Sequence, residues 1–198
     1  MLVDDDPAIR GTTATVLKRA GYRVRAFANV AAFLAANRAG GADIILIDVR
    51  RKGADGRNPL EAIGGREGTT PVVAMTGRGG IAAAIAAMRL GAVDFLEKPC
   101  PPEALIAAIG RALAPGSSGG GGAADPEAAA RIGALSRRQA DVLRGILNGQ
   151  ANKAIAHRLG LSVRSVEAYR GHMIEKLGAS GTADAVRIAI AAGMLKAG

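Results

Sequence analysis

At 198 residues and a formal charge of +9, the chain is long enough for two domains, and its 49% of hydrophobic residues suit a globular protein. No apolar run approaches the roughly 18 residues of a membrane span. The single cysteine, Cys100, excludes an internal disulfide and fits a reducing compartment. No charged-then-apolar leader precedes the first acidic cluster, so the expectation is a cytoplasmic protein with no membrane role.

The first strand, "MLV", is too short to span a sheet, which predicts residues missing ahead of it or a trimmed strand. Asp6-Pro7 then supplies an N-cap and a proline at the first helical position, and Gly21 closes that helix. Four further strands read from "YRVRAFA", "DIILID", "TPVVAMT" and "AVDFLEK", separated by helix-like stretches rich in Ala, Leu and Ile. Near-continuous apolar strands alternating with helices predict a parallel sheet covered on both faces. Asn58-Pro59-Leu60-Glu61 combines a cap, an N1 proline and an N3 glutamate, and starts the third helix. The expectation for residues 1–113 is an α/β doubly wound domain with a five-stranded parallel sheet.

Residues 114–130, "APGSSGGGGAADPEAAA", read as a flexible linker with a typical end-to-end distance of ~25 Å. Residues 131–198 contain no strand pattern. "SRRQADVLRGILNG", "NKAIAHRLG", "SVRSVEAYRGHMIEKLG" and "TADAVRIAIAAGM" predict four helices with Ser, Asn or Thr starts and Gly ends. Only Gly160-Leu161-Ser162 joins the second to the third, the signature of a helix-turn-helix. Basic residues outnumber acidic ones 15 to 11 before residue 115 and 11 to 6 after it. The larger excess per residue in the smaller part favours a polyanionic partner there.

In a doubly wound sheet, ligands bind outside the carboxyl ends of the strands. Asp4, Asp5 and Asp6 end the first strand, Asp48 the third, Thr76 the fourth and Lys98-Pro99 the fifth. Taken singly, Asp6 is an N-cap and Asp48 a turn residue. Together the carboxylates repel, and a cation is the usual remedy. Oxygen donors without His or thiolate favour a hard ion such as Mg²⁺. A lysine beside them suits a phosphoryl group, and a carboxylate nucleophile can become an acyl phosphate.

These segments carry a family resemblance. "VDDD", "LID", "MTG" and "VDFLEKP", in that order and spacing, resemble the receiver domain of two-component response regulators. With the helices that follow, the chain is similar to the FixJ/NarL group, a flavodoxin-like receiver joined to a LuxR-type helix-turn-helix DNA-binding domain. The resemblance implies that Asp48 accepts a phosphoryl group from a sensor histidine kinase. It implies that Asp5, Asp48 and the Arg50 carbonyl hold Mg²⁺, with Asp4 acting mostly through water. Lys98 would pair with the phosphoryl oxygens, Thr76 would turn its hydroxyl onto them, and Phe95 would be the aromatic switch.

The chain departs from that pattern after Asp48. Arg51 and Lys52 stand where a hydrophobic residue and a proline are usual, which predicts a long basic loop over "DVRRKGADGRNP". Arg50 and Arg78 occupy the positions that tune hydrolysis of the acyl phosphate in the family. Neither is a general base near neutral pH, so they are expected to shield the phosphoryl group and prolong its life. "TGRGG" lacks the lysine and spacing of a P-loop and reads as a strand-to-helix turn. An aspartyl phosphatase would carry a second Asp where Arg50 stands.

In "SVRSVEAYRGHMIEKLG", helical periodicity gathers Val166, Tyr169, Met173 and Leu177 on a core face. Arg164, Glu167, Ala168 and Gly171 point away, near the end that a recognition helix inserts in the major groove. The resemblance makes Glu167, Ala168 and Gly171 base-facing. Lys153, Arg164, Arg170 and Lys176 are expected phosphate contacts, with Arg170 at the margin of the core face. Gln139 replaces a usual Glu and weakens one internal ion pair. His157 and His172 have no second metal ligand at a suitable spacing, and Cys100 reads as a packing residue.

The sequence thus predicts a DNA-binding response regulator, not an enzyme beyond slow autodephosphorylation. Phosphorylation is expected to favour a homodimer on double-stranded promoter DNA, with RNA polymerase as a further partner. The linker would equally let the receiver cover the recognition helix until phosphorylation. The rival classes are a phosphorylation-dependent protein-interaction module and an aspartyl phosphatase.

Overall fold

A computed structural model of the chain describes residues 1–36, 41–49, 58–63, 70–77, 80–114 and 125–195. They fall into two compact units, one ending after residue 114 and one starting at residue 125.

The first unit contains β1 (Leu2–Val3), β2 (Ala26–Phe27), β3 (Ile45–Asp48), β4 (Val72–Thr76) and β5 (Asp94–Glu97), all parallel in the order β2-β1-β3-β4-β5. Five helices alternate with them: α1 (Pro7–Arg19), α2 (Val30–Ala36), α3 (Pro59–Ile63), α4 (Ile81–Arg89) and α5 (Pro102–Leu113). This is the doubly wound sheet that the alternating pattern predicts. The order reverses between β1 and β3, so the crevice for a ligand opens beside the ends of those two strands.

Local chemistry fixes the register. Asp6 Oδ1 accepts from the backbone N–H groups of Ala8 and Ile9 at 2.9 and 3.1 Å, and starts α1 immediately after the β1 rim. Asn58 Oδ1 accepts from the Leu60 N–H at 3.0 Å and starts α3 in the same way. Leu46, Val73, Met75 and Leu96 from the sheet meet Leu17, Leu105 and Ile109 from α1 and α5 in one core cluster. Ile47, Ala74 and Phe95 are equally buried, so the alternate positions of the central strands are covered too. A rim residue on a strand end is thereby held by a rigid sheet.

The second unit holds α6 (Pro126–Gly133), α7 (Arg137–Leu147), α8 (Asn152–Leu159), α9 (Val163–Lys176) and α10 (Thr182–Ala191). α6 lies partly within residues 114–130, which composition assigns to the linker. The helical signal there is Asp125-Pro126-Glu127: Asp125 Oδ1 accepts from the Glu127 N–H at 2.9 Å. Asp125 also donates its own N–H to the Ala191 carbonyl at 2.8 Å, and Ala128 is buried where α6 meets α10. The inward residues, buried Ala128 and half-buried Ile132 one turn on, follow a Gly- and Ala-rich stretch, and composition placed the boundary after the start of the helix.

Gln139 completes a capping box, with the Ser136 N–H donating to its Oε1 at 2.8 Å. Gly160, at φ +64°, takes the left-handed conformation that ends α8, and Ser162 Oγ caps α9 by accepting from the Ser165 N–H at 3.0 Å. Val142, Leu143, Ile155, Val166, Met173, Leu177 and Val186 form the buried interior.

Candidate functional site

Lys98 Nζ, at the end of β5, donates to Asp4 Oδ2 at 2.5 Å and to Asp48 Oδ2 at 2.7 Å. Three strand ends that are far apart in sequence are thus joined by one ammonium. Lys98 is 7% exposed, Asp4 1% and Asp48 9%, so the cluster is largely withdrawn from water. Asp4 uses its second oxygen, Oδ1, to accept from the Asp6 N–H at 3.0 Å. Asp5 is exposed at the same rim.

Each of Asp4, Asp5 and Asp48 offers an oxygen within 4.8 Å of the others, and this is a candidate cation group among the described residues. Three carboxylates against one ammonium leave a formal charge of −2. An all-oxygen donor set with that charge fits Mg²⁺, which retains waters and takes one or two carboxylates. Arg50, whose carbonyl is the third expected ligand, lies outside the described residues, as do Arg51, Lys52 and Arg78.

The Thr76 hydroxyl, 1% exposed, donates to the Leu96 carbonyl at 3.4 Å. Phe95 is 1% exposed. Asp4, Asp48 and Lys98 therefore meet in one buried corner, with Thr76 at the end of β4, the strand between β3 and β5, and Asp5 exposed at the same rim.

Two contributors were not read from the sequence. Arg10, one turn along α1 from Asp6, donates through Nη1 to the carbonyls of Asp4 at 2.7 Å and Asp5 at 3.3 Å, holding the acidic turn. Its signal was position i+4 from the helix cap, on the face that returns to the strand end. Asp94, 4% exposed, accepts from Arg111 Nε and Nη2 on α5 at 3.0 and 2.6 Å, while its other oxygen accepts from the Phe95 N–H at 2.8 Å. An ion pair between a strand and a helix 17 positions on leaves no periodic trace.

Cys100 packs beside the core cluster, and burial pushes its thiol above the ordinary range. His157 and His172 are exposed.

On α9, Val166, Met173 and Leu177 are buried and Tyr169 half-buried, whereas Arg164, Glu167, Ala168 and Gly171 are exposed, as the periodicity predicts. Lys153 and Lys176 are also exposed. Arg170 differs from its expected place: Nη1 donates to Asn152 Oδ1 at 2.7 Å and Nη2 to Thr182 Oγ1 at 2.8 Å. Its guanidinium is committed inside the unit because the residue lies at the margin of the core face, within reach of both neighbouring helices.

Residues 1–110 match the family model described as response regulator receiver domain, and residues 133–189 match that of bacterial regulatory proteins, luxR family. The transcriptional regulatory protein FixJ of Azorhizobium caulinodans is 39% identical over 197 residues, covering 99% of this chain and 93% of the relative. FixJ of Bradyrhizobium diazoefficiens is 36% identical over 98% of this chain and 95% of its own length. Among solved structures, full-length FixJ from B. japonicum matches with a TM-score of 0.51 at 35% identity, covering 98% of this chain and 97% of that one. The receiver domain of NtrX from Brucella abortus matches 57% of this chain and 95% of its own, with a TM-score of 0.53 at 33% identity.

Proposed function

The chain belongs to the two-component response regulators that join a receiver to a LuxR-type DNA-binding domain, and from that premise we propose that phosphorylation of Asp48 controls promoter binding by the second unit. The observation that carries this reading is the Lys98 ammonium shared by Asp4 and Asp48, with the Thr76 hydroxyl on the adjoining strand. An Asp48 oxygen attacks the phosphorus of a histidine-kinase phosphohistidine or a small phosphodonor. The new O–P bond forms as the bond to the donor breaks, and the donor leaves with its electron pair. Bound Mg²⁺ would neutralise charge on the phosphoryl oxygens, held by Asp5 and Asp48 with Asp4 nearby. Lys98 would pair with those oxygens.

The added charge draws the Thr76 hydroxyl from the Leu96 carbonyl toward the phosphoryl group. Phe95 then shifts into the space that Thr76 leaves, and changes the face built from α4, β5 and α5. Dimerisation through that face brings two copies of α9 to two half-sites, raising avidity without new contacts. Glu167, Ala168 and Gly171 face the bases, with Glu167 accepting from a cytosine amino group and Ala168 touching a thymine methyl. Lys153, Arg164 and Lys176 meet phosphates. RNA polymerase is the further partner of a bound regulator.

The relatives are regulators of transcription, and the chain's role follows theirs rather than an enzyme's, with slow loss of the phosphoryl group as its own chemistry. Among the described residues no helix is long and apolar enough to cross a membrane, and we place the protein in the cytoplasm with its DNA.

Sedimentation with Mg²⁺, with and without beryllofluoride, tests the dimer step. A shift to dimer that Asp48→Ala abolishes is the expected result. An unchanged mass overturns dimerisation and favours release of a covered recognition helix.

A further inference from the structure

We propose that Arg170 is a positioning residue that sets the rotation of the reader helix α9, and not a DNA phosphate contact; this rests on the DNA-binding reading above. Its two terminal nitrogens reach two different helices, Asn152 at the first residue of α8 and Thr182 at the first residue of α10. Both side chains have the chemistry of helix caps, yet neither serves as one. The cap positions themselves, Ala151 and Gly181, make no side-chain hydrogen bond to their helices. The oxygens of Asn152 and Thr182 hold Arg170 instead.

A guanidinium is a rigid planar fork, so two bonds diverging from it constrain direction as well as distance. Anchored to α8 on one nitrogen and α10 on the other, α9 is held against turning about its own axis. Arg170 stands three residues after Glu167 and one before Gly171, within the turn that presents the base-facing positions. Recognition tolerates about 0.5 Å and 10–20° of misplacement. The latch therefore acts where small rotations are most costly to specificity.

Both acceptors are neutral, so the latch does not cancel the positive charge. The acidic residue in the first turn of α10, Asp184, is engaged elsewhere, accepting from Ser180 and from Arg187 Nη1 at 2.8 Å. Arg170 adds to the long-range field toward DNA without touching a phosphate.

The test uses the full chain with Mg²⁺ and beryllofluoride, a duplex that the wild-type protein selects from a random pool, and a scrambled duplex of the same length. Arg170→Lys keeps the charge but has no fork, and Asn152→Ala with Thr182→Ala removes both anchors while leaving Arg170 intact. Both are expected to lose about tenfold or more of the selected-to-scrambled affinity ratio, with the slope of log K against log salt unchanged. Circular dichroism checks that each is folded. Wild-type specificity in Arg170→Lys, or in the double variant, overturns the proposal. So does an Arg170→Ala slope reduced by about 0.9 on both duplexes, the mark of one lost phosphate contact. A wild-type chain that selects no duplex refutes DNA binding itself, a failure distinct from that of the latch, and takes the latch's role with it.

Discussion

Replacing Lys98 by Met tests how the acidic corner is held together. In the folded protein Lys98 Nζ is shared by Asp4 at 2.5 Å and Asp48 at 2.7 Å, and the side chains of all three are at most 7% exposed. Removing one partner of a buried ion pair costs about 3–5 kcal/mol, because the charge left behind stays desolvated. Here two carboxylates lose the same ammonium. The Asp6 N–H contact to the Asp4 carboxylate remains, which places the expected loss near the middle of that range.

A divalent cation should recover part of the loss, since binding to the native state alone stabilises it by about 2.7 kcal/mol at 100 times Kd. Native-state hydrogen exchange of the β3 and β4 amides, read by mass spectrometry, isolates the receiver from the second unit. The account predicts a loss of about 4 kcal/mol in chelator and a larger Mg²⁺ stabilisation in Lys98→Met than in wild type. A loss below about 1 kcal/mol, or an equal Mg²⁺ response in both, would refute the reasoning.

The Asp94–Arg111 pair should couple α5 to β5. Arg111, 45% exposed, is screened by solvent, so Arg111→Ala is expected to cost about 1 kcal/mol by urea unfolding of the receiver, and the double variant with Asp94→Asn to lose less than the sum of the two single losses. Gly145→Ala would put a Cβ 2.7 Å from Ile155 Cγ1 and 2.9 Å from Arg158 Nη2, so the second unit should lose about 1–3 kcal/mol while β3 and β4 exchange is unaffected. Burial raises the Cys100 thiol, against a backbone hydrogen bond and the Lys98 charge, which lower it. The fold therefore favours the neutral thiol, and its contribution is fully present below the thiol's ordinary pKa and lost as pH rises from there through the raised value of the folded state. Alkylation of Cys100 at pH 8 should be several-fold slower in the native chain than in urea, and equal rates would contradict the burial argument.

Residues in the sequence announced those parts of the protein whose signal is local or periodic. Ile44 to Ile47 run into Asp48, Asp6-Pro7 and Asn58-Pro59 start helices, and Gly160 to Ser162 make the short turn before α9. Each is a one-element feature with its own chemistry, and each is where the reading put it. Convergence of Asp4, Asp48, Thr76 and Lys98 also followed, because parallel strands deliver all their ends to one rim.

What stayed hidden depends on which helices touch. α6 is eight residues long and buries only Ala128, so its apolar face was lost in the Gly- and Ala-rich stretch before it. Arg170 lies at the edge between core and solvent, where spacing alone cannot say whether a guanidinium turns outward to DNA or inward to Asn152 and Thr182. Asp94 and Arg10 read as ordinary charges until their partners are in place.

Phosphoryl transfer to Asp48 is the central claim, and intact-mass analysis with peptide mapping tests it directly. The chain would be incubated with Mg²⁺ and acetyl phosphate, beside Asp48→Ala and Lys98→Met. The account predicts one acid-stable, hydroxylamine-labile phosphoryl group, mapped to the peptide containing Asp48 and missing from Asp48→Ala. A phosphoryl group retained by Asp48→Ala, or one mapped to another residue, would contradict it.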